Sequence, residues 1–540
     1  MNDRLSRAEI SLAVVLSTAA IAFHFLSAVS AGALWRDEAN TVGLATLPGI
    51  HDVWNNLQYD SFPVGWILLV RVLAQAAGAM NDPAFRFVGL IIGLTLLGML
   101  WVNARVFSYR TPLISLALLA LNPSVIRWGD SLRAYGAGMT LAIVIGITSW
   151  RFLERPDAKR FALAAVSAII GVQVLYYNAP VVLAFCVAGF VVAMVARNYR
   201  PGLGIIAVGA LAAMSLLAYI PVVRSASMWN PLVTIPNYDR TWFFDKLSDA
   251  IAPAGGLGTT AWMFVTLTAI WLFVRQAVLR PVELAVHERR KIAFAVITLL
   301  MISISHFVFL KTLSYVTQPW YYVTLLAVVA VTVDIVFGTL MVSPRMRVAR
   351  LVLAIFVAAA TALPSTQYIR LRMTNVDVAA RAIASEAQSN DLVIVVPWYL
   401  GVSFARYDSG STPMMTVPNI RFHRFHRYDL IAEEMQRDDQ TRTLESVIEQ
   451  IHATLAGGNR IFLVSDGPVW KLREPQILLP PANIATEGWR SPLYHQQWSA
   501  LVGSTLREHA DSISPQILDS LNQAGGYENV RLTIIRGWHD

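Results

Sequence analysis

Few residues in this chain have the means to do chemistry, and they come in short, separated groups. Trp35-Arg36-Asp37-Glu38-Ala39 sets two adjacent carboxylates directly behind a long apolar run. Neighbouring carboxylates repel, so one can stay ionised as a base while the other orients it or takes a different partner. Tyr59-Asp60-Ser61-Phe62-Pro63 adds a third acid, which could also cap a helix. Trp128-Gly129-Asp130-Ser131-Leu132-Arg133-Ala134-Tyr135 joins an acid, a fixed cation and a phenol in a short turn between apolar runs. Lys311 ends one late run, and Gln318-Pro319-Trp320-Tyr321-Tyr322 opens the next. Trp, Tyr and Arg also favour membrane interfaces as plain anchors, and charges are at home in any aqueous loop.

The elements that must position these groups are membrane spans. Of 540 residues, 55% are apolar and only 14% charged, against about 25% charged in soluble domains. Crossing a bilayer takes roughly 20 apolar residues in a helix. Runs of that kind cover 10–33, 62–79, 84–103, 112–127, 134–153, 161–177, 179–196, 202–223, 260–278, 292–310, 319–340 and 348–366. Residues 10–33 could be a cleaved signal peptide, with Ala28-Val29-Ser30-Ala31 as the site, but their length favours an uncleaved first span. Run 62–79 is short, opens with Phe62-Pro63 and carries Arg71 near its middle. A central arginine costs about 2.5–3.5 kcal/mol even on the insertion scale.

Loop charge tests that doubt. If 62–79 lies in the interface and the N-terminus is cytoplasmic, the inner loops hold Arg105 and Arg110; Arg155, Lys159 and Arg160; Arg197 and Arg200; Arg275, Arg280, Arg289, Arg290 and Lys291; and Arg345, Arg347 and Arg350. That is the positive-inside arrangement. The expectation is therefore about eleven spans, an interfacial 62–79, and three extracytoplasmic pieces: 34–83, 224–259 and the tail from 367. Under this topology Asp37, Glu38, Asp60, Asp130, Arg133 and Lys311, distant in sequence, converge at one membrane face. Carboxylates beside fixed cations there suit a phosphate-bearing lipid whose head group is to be displaced.

The fold class expected is a polytopic α-helical membrane protein, residues 1–366, followed by a soluble α/β domain, residues 367–540. In the tail, Asn375 to Ser389 and 429–456 look helical, Leu392–Val396 and Arg460–Val464 look like buried strands, and a helix near 495–523 precedes a last strand near Val530 to Ile535. A lone cysteine, Cys186, allows no disulfide. The net charge of +8 resides mostly in loops, so no nucleic-acid partner is expected. His24 and His306 fall within spans and read as packed side chains. His423 and His426, in a basic, aromatic stretch that could touch anionic lipid or an acceptor, are too few for a zinc site. Nucleotide-binding and H-E-x-x-H signatures are lacking.

These motifs resemble those of the GT-C superfamily of membrane glycosyltransferases, in the branch of protein O-mannosyltransferases and lipid A aminoarabinose transferases. The resemblance rests on the acidic pair Asp37-Glu38 after the first span, on Asp60-Ser61-Phe62-Pro63 leading into a juxtamembrane helix, and on Arg133-Ala134-Tyr135. It departs at Pro319-Trp320-Tyr321-Tyr322, where the family often has Arg-Tyr. It implies transfer, with inversion, of a hexosyl or pentosyl group from a polyprenyl-phosphate carrier to a hydroxyl on a glycan, lipid or protein acceptor outside the cell membrane. Asp37 would be the general base and Glu38 its orienting partner or a sugar ligand. Arg133 and Lys311 would meet the phosphate, and Asp60 and Asp130 the acceptor or a metal. Tyr135, Tyr321 and Tyr322 complete the substrate-binding candidates. No organic cofactor is implied, and a divalent metal is not favoured. The rival readings are a lipid or glycolipid transporter, which would need polar residues at mid-span, and a non-catalytic scaffold.

Overall fold

The computed structural model of the protein describes residues 2–235, 238–253, 255–276, 284–473, 475, 477–483, 491–518 and 522–540. Arg280, counted among the loop cations, lies outside them. Eight described helices are long and apolar enough to cross a membrane: Asp3–Ser30, Asp82–Val106, Tyr135–Glu154, Tyr176–Val195, Tyr199–Ala226, Val286–Leu313, Pro319–Leu340 and Pro344–Ile369. The other expected spans take different forms. Helices Ala158–Val174 and Gly258–Val274 have 17 residues each. Run 112–127 is broken into a short turn, a π-helical stretch Leu116–Ala120 and the helix Pro123–Gly129. Asn122 and Pro123 start that last helix, Asn122 accepting the Val125 N–H.

The first and last spans are pinned at the face away from the tail, where Glu9 receives Arg347 at 2.6 Å and Arg350 at 2.7 Å. Such a buried acid is tolerable only because two guanidiniums enclose it.

Residues 64–77 form a 14-residue helix. At 1.5 Å per residue it falls short of a bilayer core of about 30 Å. Its Arg71 caps the C-terminus of the helix Arg36–Ala45, donating to the carbonyls of Ala45 (2.9 Å), Leu47 (2.5 Å) and Pro48 (2.8 Å). Those carbonyls have no partner inside their own helix, so the arginine supplies what the helix end lacks.

Among the described residues the tail holds a sheet of five strands in the order β2-β1-β3-β5-β4. They are β1 Leu392–Val396, β2 Met414–Thr416, β3 Arg460–Ser465, β4 Ser512–Gln516 and β5 Arg531–Arg536. β1 runs parallel to β2 and β3, and β5 is antiparallel to β3 and β4. β1 is buried throughout, as a central strand covered on both faces must be. The expected helix over 429–456 is two helices, Tyr428–Met435 and Arg442–Ala456. The C-terminal helix is Ser491–His509 and gives way to β4. β2 spans only three residues, and β4 carries Pro515 on the sheet edge, so neither shows a strand pattern in sequence.

Tail and membrane part share one apolar core. Arg406 pairs with Asp82 at 2.6 Å, and Arg127 donates to the carbonyls of Leu371 and Arg372. The stretch 421–427 is a strap. Arg424 donates to the carbonyls of Gly43 and Thr46, the His426 N–H reaches Asn40 at 2.7 Å, and Phe425 stacks on Tyr59 at 5.5 Å. A Cβ on Gly43 would stand 1.8 Å from the Arg424 carbonyl oxygen, so only glycine admits the strap.

Candidate active site

Arg36, Asp37 and Glu38 open the helix Arg36–Ala45, where the free N–H groups and the helix dipole favour acids. The two acids point to different places. Glu38 is fully buried. Its carboxylate receives Arg86 through both nitrogens, at 2.7 and 2.9 Å, with the Leu132 N–H at 2.6 Å and the Trp35 N–H at 3.2 Å. Arg86 lies in the first turns of the second long span and also donates to the carbonyls of Gly32 and Ala33. Glu38 thus clamps three segments: the start of its own helix, the 128–134 turn, and a span. It does not line the cavity described next.

That cavity holds about 890 Å³ and runs between the membrane part and the tail. At its polar end lie Arg36, Asp37, Asp60 and Arg133. Its other arm is apolar, walled by residues such as Leu216, Val223, Phe309 and Leu313 from the spans and Val233 from the segment that follows one of them.

Asp60 is saturated. It takes the Thr41 hydroxyl at 2.7 Å, the Asn40 amide at 3.3 Å, the Ser61 N–H at 2.6 Å and the Arg133 guanidinium at 3.2 Å. Arg133 donates further to the Asp37 carbonyl (2.8 Å) and to Thr41 (2.5 Å), and lies over the Phe62 ring at 4.1 Å. Its Nε–H is buried and makes no hydrogen bond within the described chain. Burial works against its charge, but Asp60 and Asp37 outweigh it and raise the guanidinium above its ordinary value.

Asp37 differs. Its side chain is 24% exposed, and its ion pair is a loose one with Arg36 at 3.4 Å. Arg36 in turn lies over the Tyr399 ring at 4.6 Å, and its backbone N–H donates to Glu528 at 2.7 Å. The carboxylate with the fewest partners faces the cavity, which is what a proton acceptor requires.

The remaining candidates divide. Tyr321 lines the cavity and stacks on Tyr177 at 5.1 Å. Asp130 does not line it. Its carboxylate is buried against His24 Nδ1 at 2.9 Å, in a niche floored by Gly93, where a Cβ would come within 2.5 Å of both groups. Tyr135 is buried edge-on to Phe62 at 5.3 Å, outside the cavity wall. Tyr322 is occupied with the hydroxyls of Tyr238 (2.9 Å) and Thr317 (3.0 Å). Lys311 is exposed and apart from the cavity; the lysine on its rim is Lys471 of the tail. His306 packs within its span, with Nε2 at 3.1 Å from the Tyr321 carbonyl. Among the described residues no group of three or more His, Cys, Asp or Glu converges as a metal set would.

Asn40, Arg86 and the tail residues Tyr399 and Asp466 were not among the sequence candidates, whereas Arg36 and His426 belong to stretches the sequence singled out. Arg86 carried a usable signal, since an ionised group at a span demands a partner.

No protein-family model matches the chain, and no curated protein matches its sequence. Among solved structures, ArnT from Cupriavidus metallidurans bound to undecaprenyl phosphate is similar over 97% of both chains, with a TM-score of 0.51 and 12% identity. The apo state of the same protein matches equally far, with a TM-score of 0.50 and 13% identity. The Archaeoglobus fulgidus oligosaccharyltransferase in complex with Zn and sulfate covers 84% of this chain and 68% of its own, at a TM-score of 0.46 and 13% identity. The likeness to ArnT is one of fold, and in this chain that fold is a multi-pass helical membrane part carrying a C-terminal α/β domain.

Proposed function

We propose that this protein is a membrane glycosyltransferase that moves a sugar from a polyprenyl-phosphate carrier to an acceptor hydroxyl at the extracytoplasmic face. The observation that carries the reading is the contrast between Asp37 and Asp60. Two acids of the membrane part line one cavity; one is saturated by donors, and the other is loosely held and open. The apolar arm suits a prenyl chain, and the fold is that of a protein captured with undecaprenyl phosphate.

In this reading the acceptor oxygen forms its bond to the anomeric carbon while the bond from that carbon to the phosphate oxygen breaks. The phosphate leaves with the electron pair, and the acceptor proton passes to Asp37. Attack opposite the leaving group inverts the anomeric centre. Arg133, which lines the cavity, offers its fixed positive charge to the phosphate, an attraction that strengthens as negative charge collects there. Glu38 is a positioning residue, acting through Arg86 and the 128–134 turn. In this reading the N-terminus is cytoplasmic and the tail extracytoplasmic, which the basic loops around 155–160 and 345–350 support.

The test is incubation of membranes containing the protein with labelled polyprenyl-phosphate sugars, followed by identification of the labelled product. Wild type should transfer label. Asp37→Asn should fold and insert normally and lose about 10²- to 10⁴-fold in rate, the usual worth of a general base. Asp52→Asn is the control. Asp52 only receives the Gly49 N–H at 2.8 Å and lies outside the cavity, so it should matter little. Near-normal turnover by Asp37→Asn would refute the assigned role.

A further inference from the structure

The tail contributes its own binding crevice to the cavity. In open parallel sheets, ligands settle beyond the carboxyl ends of the strands, where neighbouring strands send their connections in opposite directions. Here that point lies between β1 and β3. β1 leads outward to β2 on one side of the sheet, and β3 leads toward β5 and β4 on the other. Pro397-Trp398-Tyr399 follow β1, and Asp466-Gly467-Pro468 follow β3; all six line the cavity. The two segments are joined there, the Tyr399 hydroxyl donating to Asp466 Oδ2 at 3.1 Å.

The chemistry of this crevice is specific. Asp466 offers acceptor oxygens, and burial raises its carboxyl above the ordinary value. His495 accepts the Trp398 indole N–H on Nε2 at 3.0 Å, which leaves Nδ1 as the donor of the neutral ring. Burial lowers His495 to about 4, so the ring is neutral near pH 7. Beside them Tyr428 stacks on Trp229 at 4.7 Å and stands edge-on to Trp398 at 5.7 Å, giving a rigid aromatic wall. A carboxylate, a phenol and a neutral imidazole against aromatic faces match a ring bearing adjacent hydroxyls, which both donate and accept, and whose C–H faces are apolar. A peptide would instead seek a free strand edge, and β2 and β4, the edges of this sheet, lie to either side of the crevice.

We infer that the crevice between the ends of β1 and β3 is the acceptor subsite, and that the acceptor is a saccharide hydroxyl held by Asp466 and Tyr399. The inference rests on the glycosyltransferase reading and adds the acceptor class to it. Arg36 links the subsite to the base, touching Tyr399 on one side and Asp37 on the other.

The probe is a set of methyl glycosides of common hexoses and pentoses, read by saturation-transfer NMR on the full-length protein in nanodiscs. At least one glycoside should receive saturation on its ring protons. Asp466→Asn should weaken it about tenfold or more, as expected for hydrogen bonds to a charged group. Tyr399→Phe keeps the ring over Arg36 and should weaken it less. Asp52→Asn, outside the cavity, should leave glycoside binding in place. Absence of transfer from every glycoside, or transfer indifferent to Asp466→Asn, would overturn the subsite; so would binding of a serine- and threonine-containing peptide alone. Undecaprenyl-phosphate binding is measured on the same samples. Its failure in the wild type would count against the glycosyltransferase reading, whereas its persistence without a glycoside signal would remove the acceptor assignment only.

Discussion

Replacing Glu38 with glutamine separates positioning from chemistry. The buried carboxylate receives four donors, two of them from one guanidinium. An amide of the same shape keeps one oxygen to accept from Arg86 and Leu132. Its NH₂ then confronts the second Arg86 nitrogen and the Trp35 N–H, so two contacts turn repulsive and Arg86 keeps an uncompensated charge. Breaking a buried pair in this way costs about 3–5 kcal/mol. Because Arg86 retains the Gly32 and Ala33 carbonyls, the lower end, about 3 kcal/mol, is expected. The loss should appear as faster amide exchange in 32–38 and 128–134 and as a fall in kcat. Exchanging both partners for methionine removes the charges together and should recover much of the stability lost by Glu38→Gln, since apolar replacements of buried pairs are often neutral. Should Glu38→Gln abolish turnover as completely as Asp37→Asn while exchange in both segments stays normal, Glu38 acts in the chemistry and the clamp argument fails.

Arg133→Ala should weaken polyprenyl-phosphate binding and slow turnover, because its charge in the cavity and its pairing with Asp60 are lost together; unchanged donor affinity and rate would make Arg133 only a brace for the loop. Glu528 tests the junction with the tail through pH. Burial raises its carboxyl to about 7 from an ordinary 4.5, although the Arg36 guanidinium, its N–H and Thr374 oppose the shift. A raised acid stabilises the folded junction fully below about 4.5 and loses that contribution as pH climbs through about 7, on the order of 3 kcal/mol. Protection factors of amides near 372–376 and 525–530, corrected for the intrinsic base-catalysed rise, should fall between pH 5.5 and 8 in the wild type and not in Glu528→Gln; an equal fall in both would exclude Glu528. For topology, in a Cys186→Ser background, a cysteine at position 289 should react only with membrane-permeant reagents and one at 441 with impermeant ones as well. Labelling of 289 from outside intact cells would invert the assigned orientation.

The membrane part was legible because apolar run length and loop charge are local properties. Arg71 illustrates this: its cost in lipid marked 62–79 as unusual, and it caps a helix end. Asp37, Asp60 and Arg133 were legible as a group because topology alone brings them to one face, and they share the cavity. Glu38 and Asp130 have the same composition and the same face, yet their partners Arg86 and His24 turn them inward. Which way a side chain turns depends on contacts between segments far apart in sequence, and no periodicity encodes those. The tail's share was hidden for the same reason. Asp466 and Tyr399 are ordinary residues after ordinary strands until the sheet order puts their strand ends side by side.

Glu528, close to the end of the chain, accepts the N–H of Arg36, which sits just after the first span. The amide that begins the loop carrying Asp37 therefore waits during translation for a partner 492 residues further along the chain. Spans inserted in order can place the carboxylates and Arg133, but the loop is closed only when β5 and the segment before it arrive. A ribosome-bound intermediate holds the membrane part without its finished site. Biogenesis thus orders the two events: insertion first, competence last, so that a truncated product lodged in the bilayer lacks the contact that completes the loop.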